Sequence, residues 1–450
     1  MPSFSRILLV LAIGVALFAA FLASSASAKL RIAVELLGWK GFFTVARDTA
    51  ASRVLGSRRT RSREAFHRLL DTLSEADLQY CVPQRRVVTE EEIVECERLI
   101  SHLISTGFRL FYEADLDRPH FEPIVGPRMK SLGDNPDAFY FNTVFNPSGE
   151  FIVKGRVLRE VYLSLTIYEA PCVGCFSSKV IVDVNHRNLK LSPKDRSFEI
   201  VVSPHPKPKG ETRDWLYFGN MTAGSFPQLI TRHYYEGEIS AQLDPTIRHE
   251  LSIEPLKSGQ GPPARLSDVQ SAERMERVRA FVHSHSLGML QDPAKAPSWF
   301  SFTPNKFGPA VLFRNEVEGL GAVDIVYSAG PFKFEDPDRQ GLVISGQMPR
   351  AAFANIALWN KLLQTFAYET GRTISLNRKQ MKRSRLDPTN LTGPFKILLS
   401  KRQPKNGLPD DMEWLDSEGR EDGTMFWRFL LPEEDVVTPV ATLVNIDDVK

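Results

Sequence analysis

The sequence has almost no net charge. Its 450 residues carry 56 Lys and Arg against 54 Asp and Glu, a formal balance of +2. No field is left to draw in nucleic acid or an anionic membrane surface, so nucleic acid is not expected as a partner. Arg58-Arg59-Thr60-Arg61-Ser62-Arg63 is a local basic run, read as the solvated flank of a helix.

Catalytic signatures are missing too. There is no GxSxG elbow, HExxH helix, P-loop or GxGxxG fingerprint. A serine hydrolase, a zincin and nucleotide- or dinucleotide-dependent enzymes are thereby disfavoured. No cofactor and no metal ion are expected.

Long apolar runs are absent after the first residues. Arg6 precedes an apolar stretch, residues 7–23, and Ala26-Ser27-Ala28 has the small-x-small form of a signal-peptidase site. A cleaved signal peptide over 1–28 is expected, with secretion or the secretory pathway as the destination. The alternative is a retained N-terminal membrane anchor through residues 7–23.

Cysteine is scarce. In an oxidising compartment the four residues Cys81, Cys96, Cys172 and Cys175 read as disulfide candidates. One CxxC knuckle is too few for a four-thiolate zinc site. A redox CVGC wants a strand-to-helix junction. Here CVGC lies between two strand-like stretches. Asn220 and Asn390 begin Asn-x-Thr sequons and are glycosylation candidates.

What is present is an internal repeat. IVKGRVLREVYLSLTIY (152–168) aligns without a gap on VISGQMPRAAFANIALW (343–359). Gly155 falls on Gly346, Arg159 on Arg350, Tyr162 on Phe353 and Tyr168 on Trp359. Further on, Phe198–Ser203 matches Phe395–Ser400, Trp215 matches Trp414, and Arg232 matches Arg428. Four landmarks in one order describe one β-rich unit used twice.

The expected fold is α+β, mainly β: two related β-sandwich or jelly-roll-like units with an N-terminal helical region and an inter-unit helix. The expected boundaries are 29–130 for the helical region, 131–255 for the first unit, 256–310 for a linker and helix, and 311–450 for the second unit. Ser62 is expected to cap a helix whose apolar face holds Phe66, Leu69, Leu70 and Leu73. Thr89 and Glu92 form a capping box. Ser267 caps the inter-unit helix. Ile239–Leu243 reads as a weak strand.

Several segments resemble the domain-of-unknown-function 1214 family. They include GFRLFYEADLDRP, PRMKSLGDNPDAFY, SFEIVVSP, MPRAAFANIALWN and EWLDSEGREDGTMFWRFLLPE, spread over about 100–435. The resemblance implies a β-sandwich or jelly-roll core with helical insertions. It implies no agreed activity and supplies no catalytic residues.

Three constellations remain as candidate sites. Gly133-Asp134-Asn135-Pro136-Asp137 with Tyr140 offers oxygen ligands for a cation or hydrogen bonds for a sugar, against an Asx-type turn as the plain alternative. Arg232 and Tyr234 share one strand face while His233 and Tyr235 share the other. The plain alternative there is an edge strand whose Arg pairs with a carboxylate at the sandwich rim. His283-Ser284-His285, His249 and His120 are read as helix-end or crevice histidines. Trp215 and Trp414, repeated in both units, are read as anchors of their loops.

The leading expectation is a binding or structural module without catalysis, taking a glycan or small polar molecule. The alternative is a hydrolase-like enzyme using Asp134, Asp137 and Arg232 between the units. It requires those side chains to share one deep pocket, with a carboxylate shifted in pKa.

Overall fold

The computed structural model describes residues 60–177, 179–257, 261–289, 297–313, 321–384 and 386–449. The expected leader over 1–28 and the start of the helical region lie outside the described residues.

The helical region opens with the Arg61–Glu75 helix. Its cap is Thr60 rather than Ser62: the Arg63 amide donates to Thr60 Oγ1 at 3.3 Å. Only part of the expected apolar stripe is buried. Leu69 is buried, while Phe66 and Leu70 are exposed, because the sheltered face runs through Ala65, Leu69 and Thr72. The chain then widens into π-helical turns over Ala76–Gln84, which accommodate Pro83 and its missing N–H. The Glu90–Gly107 helix begins with the expected capping box, each bond 3.2 Å long. Cys81 and Cys96, both buried, are joined as a disulfide across this helical pair.

The first β unit contains β1 (Glu122–Pro123), β2 (Ala138–Val144), β3 (Phe151–Arg156), β4 (Tyr162–Ala170), β5 (Lys179–Asn185), β6 (Ser197–Ser203), β7 (Asp214–Tyr217), β8 (Phe226–Tyr234) and β9 (Glu250–Pro255). The second contains β10 (Val311–Leu312), β11 (Ile325–Lys333), β12 (Gln340–Met348), β13 (Phe353–Trp359), β14 (Ser375–Asn377), β15 (Gly393–Ser400), β16 (Glu413–Asp416), β17 (Asp422–Leu430) and β18 (Val440–Asn445).

The duplication is complete at the level of strand order. One five-stranded sheet runs β1-β2-β8-β4-β5 and its counterpart β10-β11-β17-β13-β14. The four-stranded sheets run β7-β6-β3-β9 and β16-β15-β12-β18. Even the exceptional parallel pairs match, with Trp215 opposite Val201 and Trp414 opposite Leu398. Gly155 faces Phe198, and Gly346 faces Phe395 in the same register. A Cβ on either glycine would meet that phenylalanine ring, 2.6 Å away in the first case and 2.7 Å in the second. The repeated glycine thus makes room for the repeated aromatic.

Each unit buries its alternating residues between its two sheets. In the first these include Val153, Leu163, Leu165, Ile167 and Ile200. In the second they include Ile344, Ile356, Leu358, Ile397 and Trp427. Full burial of one such side chain stabilises by about 1.5–3 kcal/mol. The other faces of the two five-stranded sheets pack on each other through Tyr162 and Tyr234 on one side and Tyr327, Phe353 and Phe426 on the other.

The helix between the units spans Asp268–Ser284 and has the expected Ser267 cap. It packs beside the Glu90–Gly107 helix over the outer part of the first five-stranded sheet, near Tyr168, Val180 and Ile230. The Ile239–Leu243 strand does not form. Ala241–Leu243 is a 3₁₀ turn, and Ile239 is exposed with no partner strand to repay its burial. Residues ahead of 311 already belong to the second unit, since the Ser301 and Gly308 amides both donate to Ala329 O at 2.9 Å. No described helix is long and apolar enough to cross a membrane.

Candidate functional site between the two β units

The candidate residues converge on the layer between the two five-stranded sheets. Residues 133–137 form a turn ahead of β2 that reaches across to the second unit. Asp134 accepts from the Thr365 amide at 2.9 Å and from the Thr365 hydroxyl. Asn135 Oδ1 accepts from Asn355 Nδ2 at 2.8 Å. Asp137 accepts from Asn355 at 3.0 Å and from Asn377 at 3.1 Å. Asn355 and Asn377 lie on β13 and β14, paired in register. The Asx turn expected here exists, for Asn135 Oδ1 also accepts from the Asp137 amide.

Burial sets the electrostatics of this turn. Asp134 and Asp137 are both buried. Desolvation raises the Asp134 carboxyl above its ordinary value, against the pull of nearby Lys130 and Thr365. Asp137 is pushed up to about 7 by burial, partly offset by its two asparagine donors. Lys130 is buried, pairs with Glu369 at 2.6 Å and donates to Phe366 O at 2.7 Å. A pair buried on both sides, Arg378 with Glu236, is bidentate at 2.7 and 2.8 Å and also joins the units.

Arg232 lies in a central strand, not an edge strand: β8 runs between β2 and β4. Both neighbours are polar or aromatic here, so the buried guanidinium donates to Thr166 Oγ1 at 3.0 Å and to the Tyr168 hydroxyl. Arg428 does not reach a rim carboxylate either. Its Nη2 donates to Gly133 O at 2.8 Å. The two arginines occupy equivalent settings. Arg232 is flanked by Tyr140 on β2 and lies 5.6 Å from the Tyr168 ring. Arg428 is flanked by Tyr327 on β11 and lies 5.0 Å from the Trp359 ring. Tyr140 and Tyr234 meet hydroxyl to hydroxyl at 2.9 Å. Nearby, buried Tyr162 donates to half-buried Asp324 at 2.6 Å, and Asp183 is raised to about 6 by burial and the neighbouring Asp324 charge.

The enzyme alternative required Asp134, Asp137 and Arg232 in one deep pocket. The aspartates bond across to the second unit, whereas Arg232 donates to Thr166 and Tyr168 of its own sheet. The two described clefts lie elsewhere. One is lined by Asp115, His120, Glu122 and Asn142, the other by Asp336, Arg339, Leu443 and Asn445.

On the opposite face of β8, His233 and Tyr235 meet two residues that sequence reasoning did not group with them. His233 Nδ1 lies 3.0 Å from Glu160 Oε1, and the Tyr235 hydroxyl donates to the same oxygen at 2.9 Å. That hydroxyl lies 3.2 Å from His249 Nδ1. Burial opposes ionisation of Glu160, but its His233 hydrogen bond and other donors hold it down to about 2. His249 is pushed down to about 4, first by burial and then by the charge of His233. The available signal was the lack of repetition. Arg232 matches Arg428, so His233 falls on Phe429 and Tyr235 on Leu431, while Glu160 falls on Ala351. His285 behaves as expected of a helix-end histidine, with Nδ1 2.8 Å from Phe281 O.

Cys172 and Cys175 are joined as a disulfide in the loop between β4 and β5. Strands on both sides place CVGC in a hairpin, as its sequence context predicted. Trp215 and Trp414 are half-buried, and their indoles donate to His205 O at 2.9 Å and Ser400 Oγ at 3.1 Å, which ties each to the preceding strand or its loop. Asn220 is exposed after β7. Asn390 is half-buried, its Oδ1 accepting from Thr392.

No protein-family model matches the chain, and no curated protein matches it. The fold is shared with an uncharacterized protein from Burkholderia cenocepacia at 21% identity and a TM-score of 0.67, over 85% of this chain and 97% of that one. A protein from Vibrio parahaemolyticus aligns at 10% identity and a TM-score of 0.42, over 77% of this chain and 98% of that one. The likeness to the first is one of fold alone.

Proposed function

We propose that this is a non-catalytic binding or structural protein of the secretory pathway, built on two fused β-sandwiches. One observation carries the reading. In Asp134 and Asp137, the carboxylates nearest to a catalytic candidate, each oxygen already accepts a hydrogen bond from Thr365, Asn355 or Asn377 of the second unit, which holds the units together. A group that must bind a reacting atom needs a free lone pair facing a substrate. The ligand class is a glycan or small polar molecule. The resemblance to the domain-of-unknown-function 1214 family belongs to this reading and is supported by the segments that suggested it.

The test is mass spectrometry of small molecules retained by the natively secreted protein. A glycan or polar metabolite released on unfolding supports the proposal. Turnover of a hydrolysable substrate library, abolished by Asp137→Asn in folded protein, would overturn it. N-terminal sequencing checks the route: a mature chain starting at Lys29 supports secretion, and a retained Met1 supports anchoring.

A further inference from the structure

The two units share strand order, register, the glycine–phenylalanine pairs and the buried arginines. Against that background, a cluster present in only one of them calls for a reason other than the fold. Glu160, His233 and Tyr235 form such a cluster with His249, on three separated segments. These are the turn before β4, the end of β8 and its continuation, and the residue before β9. The matching positions Ala351, Phe429 and Leu431 carry no donor or acceptor in their side chains.

We propose that Glu160, His233 and His249 bind one divalent transition-metal ion of the zinc class. One ligand atom from each of the three lies within 4.8 Å of the others. Two imidazole nitrogens and one carboxylate oxygen are a donor set for zinc with one position left open. Bonds of about 2.0–2.2 Å bring such ligands together around the ion, a contraction that small side-chain rotations supply.

The surrounding groups aim the ligands. Glu160 Oε2 is fixed by the Leu158 and Arg159 amides at 2.7 and 3.0 Å, which leaves Oε1 to face the cluster. His233 Nε2 lies 3.1 Å from Thr231 Oγ1. With the proton on Nε2 and donated to Thr231, Nδ1 presents its lone pair towards Glu160 and the ion. His249 is turned by the rings of Phe139 and Phe141, whose centroids lie 4.4 and 4.9 Å from its own. Its Nε2 is buried without a hydrogen-bond partner, so the imidazole has one nitrogen unused and the other aimed at the Tyr235 hydroxyl. Tyr235 stands at the fourth position, either as an oxygen donor or as the hydrogen-bond partner of a bound water. Imidazole and carboxylate bind the ion only in their deprotonated forms, so binding weakens as pH falls.

The proposal is independent of the non-catalytic reading above, since a structural ion and a ligand-binding ion both fit this site. Full-length protein is stripped with a chelator and titrated with zinc by calorimetry, and with cobalt by visible absorption. The expected result is one equivalent bound, with the intense absorption of a four- or five-coordinate cobalt centre. His249→Gln keeps a polar side chain at a half-exposed position, and circular dichroism verifies its fold. It should weaken zinc by about 100-fold or more, as should Glu160→Gln. Asp137→Asn, outside the cluster, should leave the affinity unchanged. No stoichiometric binding by the folded wild-type protein overturns the proposal. So does stoichiometric binding that neither cluster variant weakens.

Discussion

Asn377 Nδ2 donates to Asp137 Oδ1 at 3.1 Å, joining the edge strand of the second unit to a turn of the first. Asp137 is buried and its carboxyl is raised from 3.8 to about 7, chiefly by desolvation. The folded protein therefore holds a proton that the unfolded chain gives up. Stability from this group is fully present below about pH 4 and falls as pH rises towards about 7. The loss is on the order of 4 kcal/mol for a fully buried group. Glu160, lowered to about 2, acts in the opposite direction, but only as pH falls below its ordinary 4.5. Asp183 and His249 also change protonation between pH 5 and pH 8, so urea denaturation at those two values isolates the first effect only by comparison with Asp137→Asn. Wild type should lose stability relative to Asp137→Asn between those values, and equal changes in the two proteins would show that Asp137 does not titrate there.

The duplicated framework was legible because its marks are local. Gly155 with Phe198 and Gly346 with Phe395 each depend on one strand pairing, and the alternation around them is visible within ten residues. The edge strands β9 and β18 were harder to see, since their exposed positions dilute the apolar pattern, and β7 and β16 are only 4 residues long. The candidate turn over 133–137 was found by its residue types. Its role was hidden, because Asn355 and Asn377 reach it from the far end of the chain. Glu160, His233 and His249 were hidden for the same reason: three segments meet only when the first sandwich closes.

The buried Arg378–Glu236 pair provides a direct measure of the contact between units. Both side chains are about 4% exposed or less, and Arg378 also donates to Ala351 O at 2.9 Å. Removing one partner leaves the other charge buried, at a cost of about 3–5 kcal/mol. Replacing both removes that penalty. Arg378→Met and Glu236→Gln should each destabilise strongly, and the double variant should lose less than their sum. A strictly additive cycle would falsify the pairing.

The Cys81–Cys96 disulfide spans a sequence separation of 15 within the helical region. Closing a loop of that length stabilises by about 3 kcal/mol through the unfolded chain. Both sulfurs lie in the apolar core that the helices form on the first five-stranded sheet. Alanine at both positions should lower stability by about that amount and raise hydrogen exchange first in Ala76–Gly107. Uniform exchange across both sandwiches would instead mean that the helical region does not open separately.

Gly174, between Cys172 and Cys175, is the place where the CVGC loop meets a helix. It has φ of +91°, and a Cβ there would lie 2.2 Å from Arg277 O. The obstruction is backbone, in the Asp268–Ser284 helix, and cannot rotate aside. Nearby, Ser284 Oγ donates to Gly174 O at 3.3 Å, and the Phe176 and His285 rings lie 5.1 Å apart. Gly174→Ala must therefore both strain its own backbone and lift the loop from the helix. The expected cost is about 1–3 kcal/mol, with faster exchange in Asp268–Ser284 while β12, β15 and β17 stay protected. A variant as stable as wild type, with that helix still protected, would show that the loop does not pack on it.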